Sequence, residues 1–513
     1  MSDESAFPDE PTGEALDRDT LFPEADEPES SARRQVTARG VAVVGARVVG
    51  GLVGLAVAAA TIAAASLLPL PTVSAEVASE RIIPVPTAQQ LVCPGAALRL
   101  SDESGAGATQ ASAIGRPVVL SGVSSGTLET DPIASSDAAT GGTSAAPTIV
   151  STPPGESETG DRVTLSGAQS QQVSEGDLQG LTASSCAVAS SDAWLTGGAT
   201  TVGRTTLLVL TNPSEVPATV DLELFDETGE VLAPGTRGIV VPPSGQRVLS
   251  LAGFKPDMLA PVVHVTSTGG QVSAILQQSI VRGLAAGGVD LVDSAPLSSD
   301  IVIPGELFTD VGAAQALRSG GEAYLDVVNA LRLFAPGTDE VELTVGLIPE
   351  DGAQTGSTFD VTLDAGTVTE VSFEQVPTGT YTVQISATAP VAAGVRATSA
   401  VGATTDFAWY SPAPQLQDRA QFSVAAGPSP VLHLSDSSGT ESVVEIAQLD
   451  GATTAVTVPA GGSLVVPLTA ETSYLLTGFG TLYGAVTLSD GAQLARYSVQ
   501  PLGATSDPIV VYP

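Results

Sequence analysis

The sequence predicts an all-β protein: tandem immunoglobulin-like β-sandwich domains behind one N-terminal transmembrane helix. Three observations carry this expectation. Short runs with period-two apolar alternation are broken by Gly, Pro, Asp or Ser every ~8–12 residues, the pattern of antiparallel sandwiches. A set of landmarks recurs at a fixed offset through the later part of the chain. One uncharged run near the N-terminus has the length of a bilayer core.

Residues 1–40 hold eleven acidic residues and four arginines among scattered prolines. With so little apolar surface to bury, such a segment reads as a disordered acidic cytoplasmic tail, solvated or docking a cytoplasmic partner. Residues 41–70 follow as the membrane segment. Within them, 48–68 carry no charge, and a helix of that length spans a hydrocarbon core of ~30 Å. Arg33, Arg34, Arg39 and Arg47 precede the run and the next charge is Glu76. The positive-inside rule then places the N-terminus in the cytoplasm and the bulk of the chain outside the cell. A cleaved signal peptide ending near Val73-Ser74-Ala75 is the competing reading, disfavoured by the long leading segment and the long apolar run.

Residues 71–190 read as a β-rich membrane-proximal region. Its strands include Arg116-Pro117-Val118-Val119-Leu120 and Arg162-Val163-Thr164-Leu165. Between these, residues 135–160 are rich in Ser, Thr, Ala, Gly and Pro and are expected as a mobile loop or linker. Cys93 and Cys186 are the only cysteines and both lie on the exported side. A disulfide suits an oxidising compartment. In the chain-entropy model it contributes about 4–5 kcal/mol at most. Two free buried thiols are the alternative.

From Trp194 the chain repeats. Leu207-Leu208-Val209-Leu210-Thr211-Asn212-Pro213 is answered by Ala330-Leu331-Arg332-Leu333-Phe334-Ala335-Pro336, 123 residues on. The alternating strand from Val220 leads to Gly229, and its counterpart from Val341 leads to Gly352. A third copy from Val443 leads to Gly451, a further 99 residues on. Such periods suit whole domains. Three sandwiches are therefore expected at residues 191–303, 304–415 and 416–513, laid end to end as a rod. No stretch beyond the membrane segment shows sustained helical periodicity.

Several of these landmarks together resemble a known group. Cys93-Pro94, Cys186 followed by Trp194-Leu195-Thr196-Gly197-Gly198, Leu210-Thr211-Asn212-Pro213 and Asp406-Phe407-Ala408-Trp409 resemble an uncharacterised family of actinobacterial, membrane-anchored extracytoplasmic proteins, a domain of unknown function. The resemblance covers most of the exported part. It implies a cell-envelope protein without assigning an activity or catalytic residues.

Composition narrows function by exclusion. A net charge of −37 with a single lysine, Lys255, argues against a nucleic-acid partner, which needs clustered basic residues. Gly122-Val123-Ser124-Ser125-Gly126 matches the GxSxG pattern, yet no helix start follows it and no βαβ alternation surrounds it, so a turn is expected. His264 and His433 lie inside strand-like runs and read as locally hydrogen-bonded strand residues at unmatched places in the repeat. Lys255 sits in a loop. Asp226, Asp351 and Asp450 precede glycines, where Asp bonds its own backbone. None belongs to a calcium loop, and no metal or cofactor is expected. Trp194, Trp409 and Tyr410 are read as sandwich aromatics, with an exposed sugar-stacking face as the alternative. The expectation is thus a non-catalytic, membrane-anchored envelope protein serving as a structural or interaction module, with an unknown envelope protein or glycan as partner. The alternative is a carbohydrate-binding or polysaccharide-assembly accessory.

Overall fold

The computed structural model describes residues 51–59, 80–82, 88–100, 111–135, 138–139, 145–153, 163–309, 311–352, 356–373, 375–402, 404–502 and 509–511. The acidic tail lies outside these residues, as does most of the apolar run. Its described part, 51–59, is helical. Among the described residues no helix is long and apolar enough to cross a membrane.

Residues 81–510 form one compact unit, and its described residues are β-strands and loops but for one short helix and a few 3-10 residues. One strand arrangement recurs three times. In the first copy, one sheet runs in the order Asp192–Thr196, Val262–Gly269, Ala218–Asp226, the last strand pairing further with Gly229–Glu230 and Ile239–Val241. The facing sheet runs Gly245–Ser250, Arg204–Asn212, Ser273–Arg282, Ala285–Asp293. Leu195, Leu222 and Val263 of the first sheet meet Leu208, Leu210 and Leu276 of the second in one buried cluster. The alternation of Ala218–Asp226, in which every second residue is buried, is the period-two pattern expected of a half-buried strand.

The second copy orders Ser298–Phe308, Gly379–Val401, Val341–Pro349 and Ser357–Leu363 in one sheet. Val368–Ser372, Ala330–Phe334, the same Gly379–Val401 and Thr404–Tyr410 make the other. The third copy repeats this. Gln415–Val424, Thr472–Ser489, Ser442–Gln448 and Thr453–Val458 form its first sheet; Ser463–Pro467, Val431–Ser435, Thr472–Ser489 and Leu494–Ser498 form its second. Two separate strands of the first copy have thus become one long strand that changes sheets part-way. In the third copy the change falls near Gly478, at φ 89°, a conformation that costs glycine little.

The sandwiches do not lie end to end as a rod. Leu98 and Ala111 of the N-terminal region pack on Leu207, Val209, Ile275 and Leu291 of the first sandwich. Trp194 and Val262 of the first meet Phe334 and Ala392 of the second. Leu494 joins the core of the second, and Ala168, Leu181 and Ala183 of the N-terminal region complete the core of the third. The contacts therefore return to the region where they began. The physical reason is that each second sheet is buried on both faces. One fills its own sandwich and the other must be covered by a neighbour, as for a strand buried on both sides.

Two local expectations are corrected. Thr148–Thr152, inside the stretch expected as a linker, is the central strand of a three-stranded sheet between Gln89–Cys93 and Glu129–Pro132. Its Thr-Ile-Val-Ser-Thr sequence has strong β-propensity that the surrounding composition masked. Val311–Ser319 is a helix that no periodicity announced, because it buries none of its residues. Gly122 to Gly126 behave as read: Val118–Val123 is a strand, and a bend follows it.

Candidate functional site

The contacts between sandwiches gather the chemistry of this chain. The disulfide forms between Cys93 and Cys186. Around it Leu91, Val150 and Leu165 are buried, and Gly167 is so close that a Cβ there would lie 2.9 Å from the Cys186 sulfur.

The three aromatic candidates do not face solvent. Trp194, Trp409 and Tyr410 are 7, 2 and 0% exposed, so the ligand-facing expectation for them is corrected. The cause is the tertiary packing of the second sheet faces. Trp409 Nε1 donates to Gln278 Oε1 at 2.6 Å, and its backbone N–H donates to Asp290 Oδ2 at 2.6 Å. The guanidinium of Arg332 lies 4.5 Å from its ring centre and that of Arg396 lies 5.5 Å away. Both arginines reach Glu370, at 2.7 and 3.3 Å. Arg332 also donates to the carbonyls of Gly198, Leu259 and Pro261, which belong to the first sandwich. Two arginines, a carboxylate and an indole thus clamp the second sandwich onto the first. Trp194 stacks on His264, with ring centres 4.0 Å apart. The two nitrogens of His264 face Glu223 and Asp192, each at 3.0 Å.

A second constellation joins the second and third sandwiches. His433 Nδ1 lies 2.5 Å from Glu350 Oε2, and its Nε2 lies 2.8 Å from Thr487 Oγ1. Glu350 Oε1 accepts from the Gly305 N–H and the Thr382 hydroxyl, both at 2.8 Å. Carboxylate, imidazole and hydroxyl stand in the order of a nucleophilic triad. However, Glu350 and His433 side chains are 0 and 4% exposed, and Thr487 is buried, so no substrate reaches the hydroxyl. Burial works against ionising Glu350, but His433 and two further hydrogen-bond donors, Thr382 and Gly305, outweigh it and hold the carboxyl below its usual range. The arrangement fastens two sandwiches.

A third cluster lies deeper. Glu306, Tyr410 and Arg496 are all buried, and the Arg496 guanidinium lies 5.5 Å from the Tyr410 ring centre. Glu306 Oε1 accepts from Asn329 at 2.8 Å. Oε2 of Glu306, the Tyr410 hydroxyl, and Nε and Nη2 of Arg496 have no hydrogen-bond partner among the described residues. Burial pushes the Glu306 carboxyl up to about 8 and the Arg496 guanidinium down to about 10. Above Asn329 is a cavity of about 70 Å³, lined by Phe308, Phe373 and Thr398 and roofed by the helix Val311–Ser319.

The remaining candidates are structural. Lys255 pairs with the buried Asp226, which also accepts from the Thr228 N–H and hydroxyl at 2.8 and 2.6 Å. Among the described residues no group of three or more His, Cys, Asp or Glu is placed to hold a metal. Sequence reasoning overlooked Arg332, Glu350, Glu370 and Glu306. A signal existed for the first: Val209, Arg332 and His433 share one place in the repeat, each between the two leucines of its strand. His264 stands elsewhere in the repeat, in Val262–Gly269. A charge at that place means that the outer sheet face is covered by something polar.

These landmarks belong to a recognised sequence group. The model of a family of unknown function, DUF5719, matches residues 137–469. The chain belongs to the DUF5719 family. The DUF5719 match takes in Cys186, the clamp at Trp409 and the Glu350–His433 pair, and stops before the last long strand. No curated protein matches the chain. Among solved structures, it is similar to the major pilin from Streptococcus pyogenes, at 10% identity and a TM-score of 0.12, covering 61% of this chain and 100% of the pilin. It is also similar to the BSP domain of a biofilm-associated protein, at 11% identity and a TM-score of 0.13, covering 85% of this chain and 100% of that one. At such TM-scores neither likeness bears on function.

Proposed function

We propose that this chain is a non-catalytic cell-envelope protein, anchored by one span at 48–68, whose immunoglobulin-like sandwiches act outside the cell as a structural or interaction module. One observation carries the reading. The side chains best suited to chemistry, namely His433, Glu350, Arg332, Arg396 and Trp409, are spent on holding sandwiches together in buried positions. Such a protein offers surfaces to partners and keeps its polar groups for its own rigidity. The bridge between Cys93 and Cys186 supports an oxidising compartment. The carbohydrate-binding alternative rested on Trp194, Trp409 and Tyr410, whose burial removes the stacking platform.

The test is in two arms. Protease added to intact, wall-stripped cells should digest the part after residue 70 and spare the tail; full protection would refute the anchored topology. Photo-crosslinking from exposed positions such as Val443 and Leu232 should trap envelope components. Turnover of an envelope polymer by the purified chain, lost in His433→Gln at unchanged melting temperature, would replace the module with an enzyme.

A further inference from the structure

We infer that two copies of this chain associate through the edge strand Thr453–Val458 of the third sandwich, pairing antiparallel about a two-fold axis. A sheet edge presents unpaired N–H and C=O groups, and folded proteins blunt such edges to avoid joining. The repeat supplies its own controls, because the outward edges of the three sandwiches can be compared. In the first sandwich, one edge is broken into the short strands Gly229–Glu230 and Ile239–Val241, with the charged Arg237 between them. The other edge, Gly245–Ser250, is extended by a parallel pairing with Ala134–Ser135. In the second, Ser357–Leu363 carries Asp360, bonded to Thr344 at 2.7 Å, and Val368–Ser372 carries Glu370 in its ion pairs. In the third, Ser463–Pro467 ends in proline and is tied by Ser463 to Thr382.

Thr453–Val458 has none of these devices. Its sequence, Thr-Thr-Ala-Val-Thr-Val, lacks charge, Pro and Gly and is rich in β-branched residues. It pairs with Ser442–Gln448 on one side and, among the described residues, with nothing on the other. Thr453, Thr454, Ala455 and Thr457 are exposed. No charged residue occurs anywhere in 451–470, in a chain whose net charge is −37.

That contrast identifies the occupant. A basic partner would be drawn to the acidic faces and would gain nothing from a neutral stripe. A partner of the same strong negative charge is repelled by the acidic faces and least so at an edge strand without charge of its own, and the partner that has this charge is a second copy. An antiparallel pair of identical edges is also self-complementary, as a two-fold interface requires. Six residues bury less than a standard interface, so the association is weak and grows with local concentration. The inference deepens the interaction reading above, but it is measured without any envelope component. Its failure would leave a different partner possible, and failure of the envelope crosslinking would leave self-association standing.

The experiment is sedimentation of the full-length chain in mild detergent over a concentration series, at low salt and at about 0.5 M salt, where charge repulsion is screened. A monomer–dimer equilibrium is expected, tighter at high salt. The double variant Ala455→Lys, Thr457→Lys alters two exposed side chains. It should weaken dimerisation at least tenfold at unchanged melting temperature, while Glu230→Lys on an edge of the first sandwich should not. A monomer at every attainable concentration, a dimer indifferent to the lysine pair, or a dimer that weakens with salt would overturn the inference.

Discussion

Arg332 and His433 occupy the place that Val209 fills with a methyl-rich side chain, and the three residues show one position serving three kinds of contact. Val209 packs on Leu98 and Ala111, Arg332 reaches Glu370 and three carbonyls, and His433 reaches Glu350. A charged group enters such a site only if all its bonds are made there, because desolvation is otherwise uncompensated. Glu306 meets that condition only in part, since Oε2 has no partner among the described residues. The neutral carboxyl is therefore the better guest, and the pKa rises from 4.5 to about 8. A raised carboxyl contributes stability that is complete below about 4.5 and is lost as pH rises through about 8. Asp293, pushed up by burial to about 6, acts in the same direction. Glu350, Glu370 and Asp326 are also opposed by burial, yet their cationic partners hold them low, so they contribute stability above the usual carboxylate range and lose it in acid. Stability should therefore peak at mildly acidic pH. Denaturant titrations from pH 4 to 9 should show Glu306→Gln flattening the alkaline fall; an unchanged slope would refute the assignment.

At the scale of elements, side-chain amides complete the hydrogen bonding of the segment after Cys93 where no strand lies alongside it. Gly95 and Ala97 donate their N–H groups to Gln169 and Gln171, both at 2.9 Å, and Gln169 returns a bond to the Gly95 carbonyl at 2.8 Å. Gln277 does the same for Leu98, accepting at 2.7 Å and donating at 2.6 Å. Each glutamine imitates the paired groups of a neighbouring strand, so the buried backbone after Cys93 stays satisfied. Gln277→Leu keeps the shape but orphans both Leu98 groups, which should cost about 1–3 kcal/mol. Chemical denaturation measures it; a neutral effect would mean that water reaches the segment. The glutamines were visible in the sequence as polar residues in strands, but their targets lie as far as 179 residues away, beyond any local pattern. The helix Val311–Ser319 escaped for a related reason. It has no buried stripe, and its place over the cavity is fixed by where the flanking strands end.

For the whole molecule, the shared cores decide how the units depend on each other. The third sandwich is completed by Ala168, Leu181 and Ala183. It is also bonded across to the N-terminal sheet, where Gln421 donates to the Gly122 carbonyl at 2.8 Å and Ser166 meets Ser423 at 2.9 Å. A fragment of residues 416–513 would expose these groups and the apolar face around them. It should therefore unfold at markedly lower denaturant than the same residues in the full chain, or fail to fold cooperatively. Urea unfolding followed by circular dichroism compares the two. Equal midpoints would show that the sandwich is self-sufficient and that the contacts with 165–185 contribute little.

Some of this was settled by the sequence alone. Alternation and turn residues are local, period-two signals, so the strands and their all-β class were legible, and the recurring landmarks revealed three copies of one unit. The cysteine count left one possible bridge. What tertiary structure decided was the fate of the second face of each sheet. Alternation says which residues turn inward, but when both faces are buried it cannot say against what. Trp409, Tyr410 and Arg332 could each have faced solvent by local pattern, and the packing of one sandwich on another put them inside. Burial is a property of the neighbour as much as of the residue, and the neighbour here lies from 71 residues away, at Pro261 for Arg332, to 134, at Gly198.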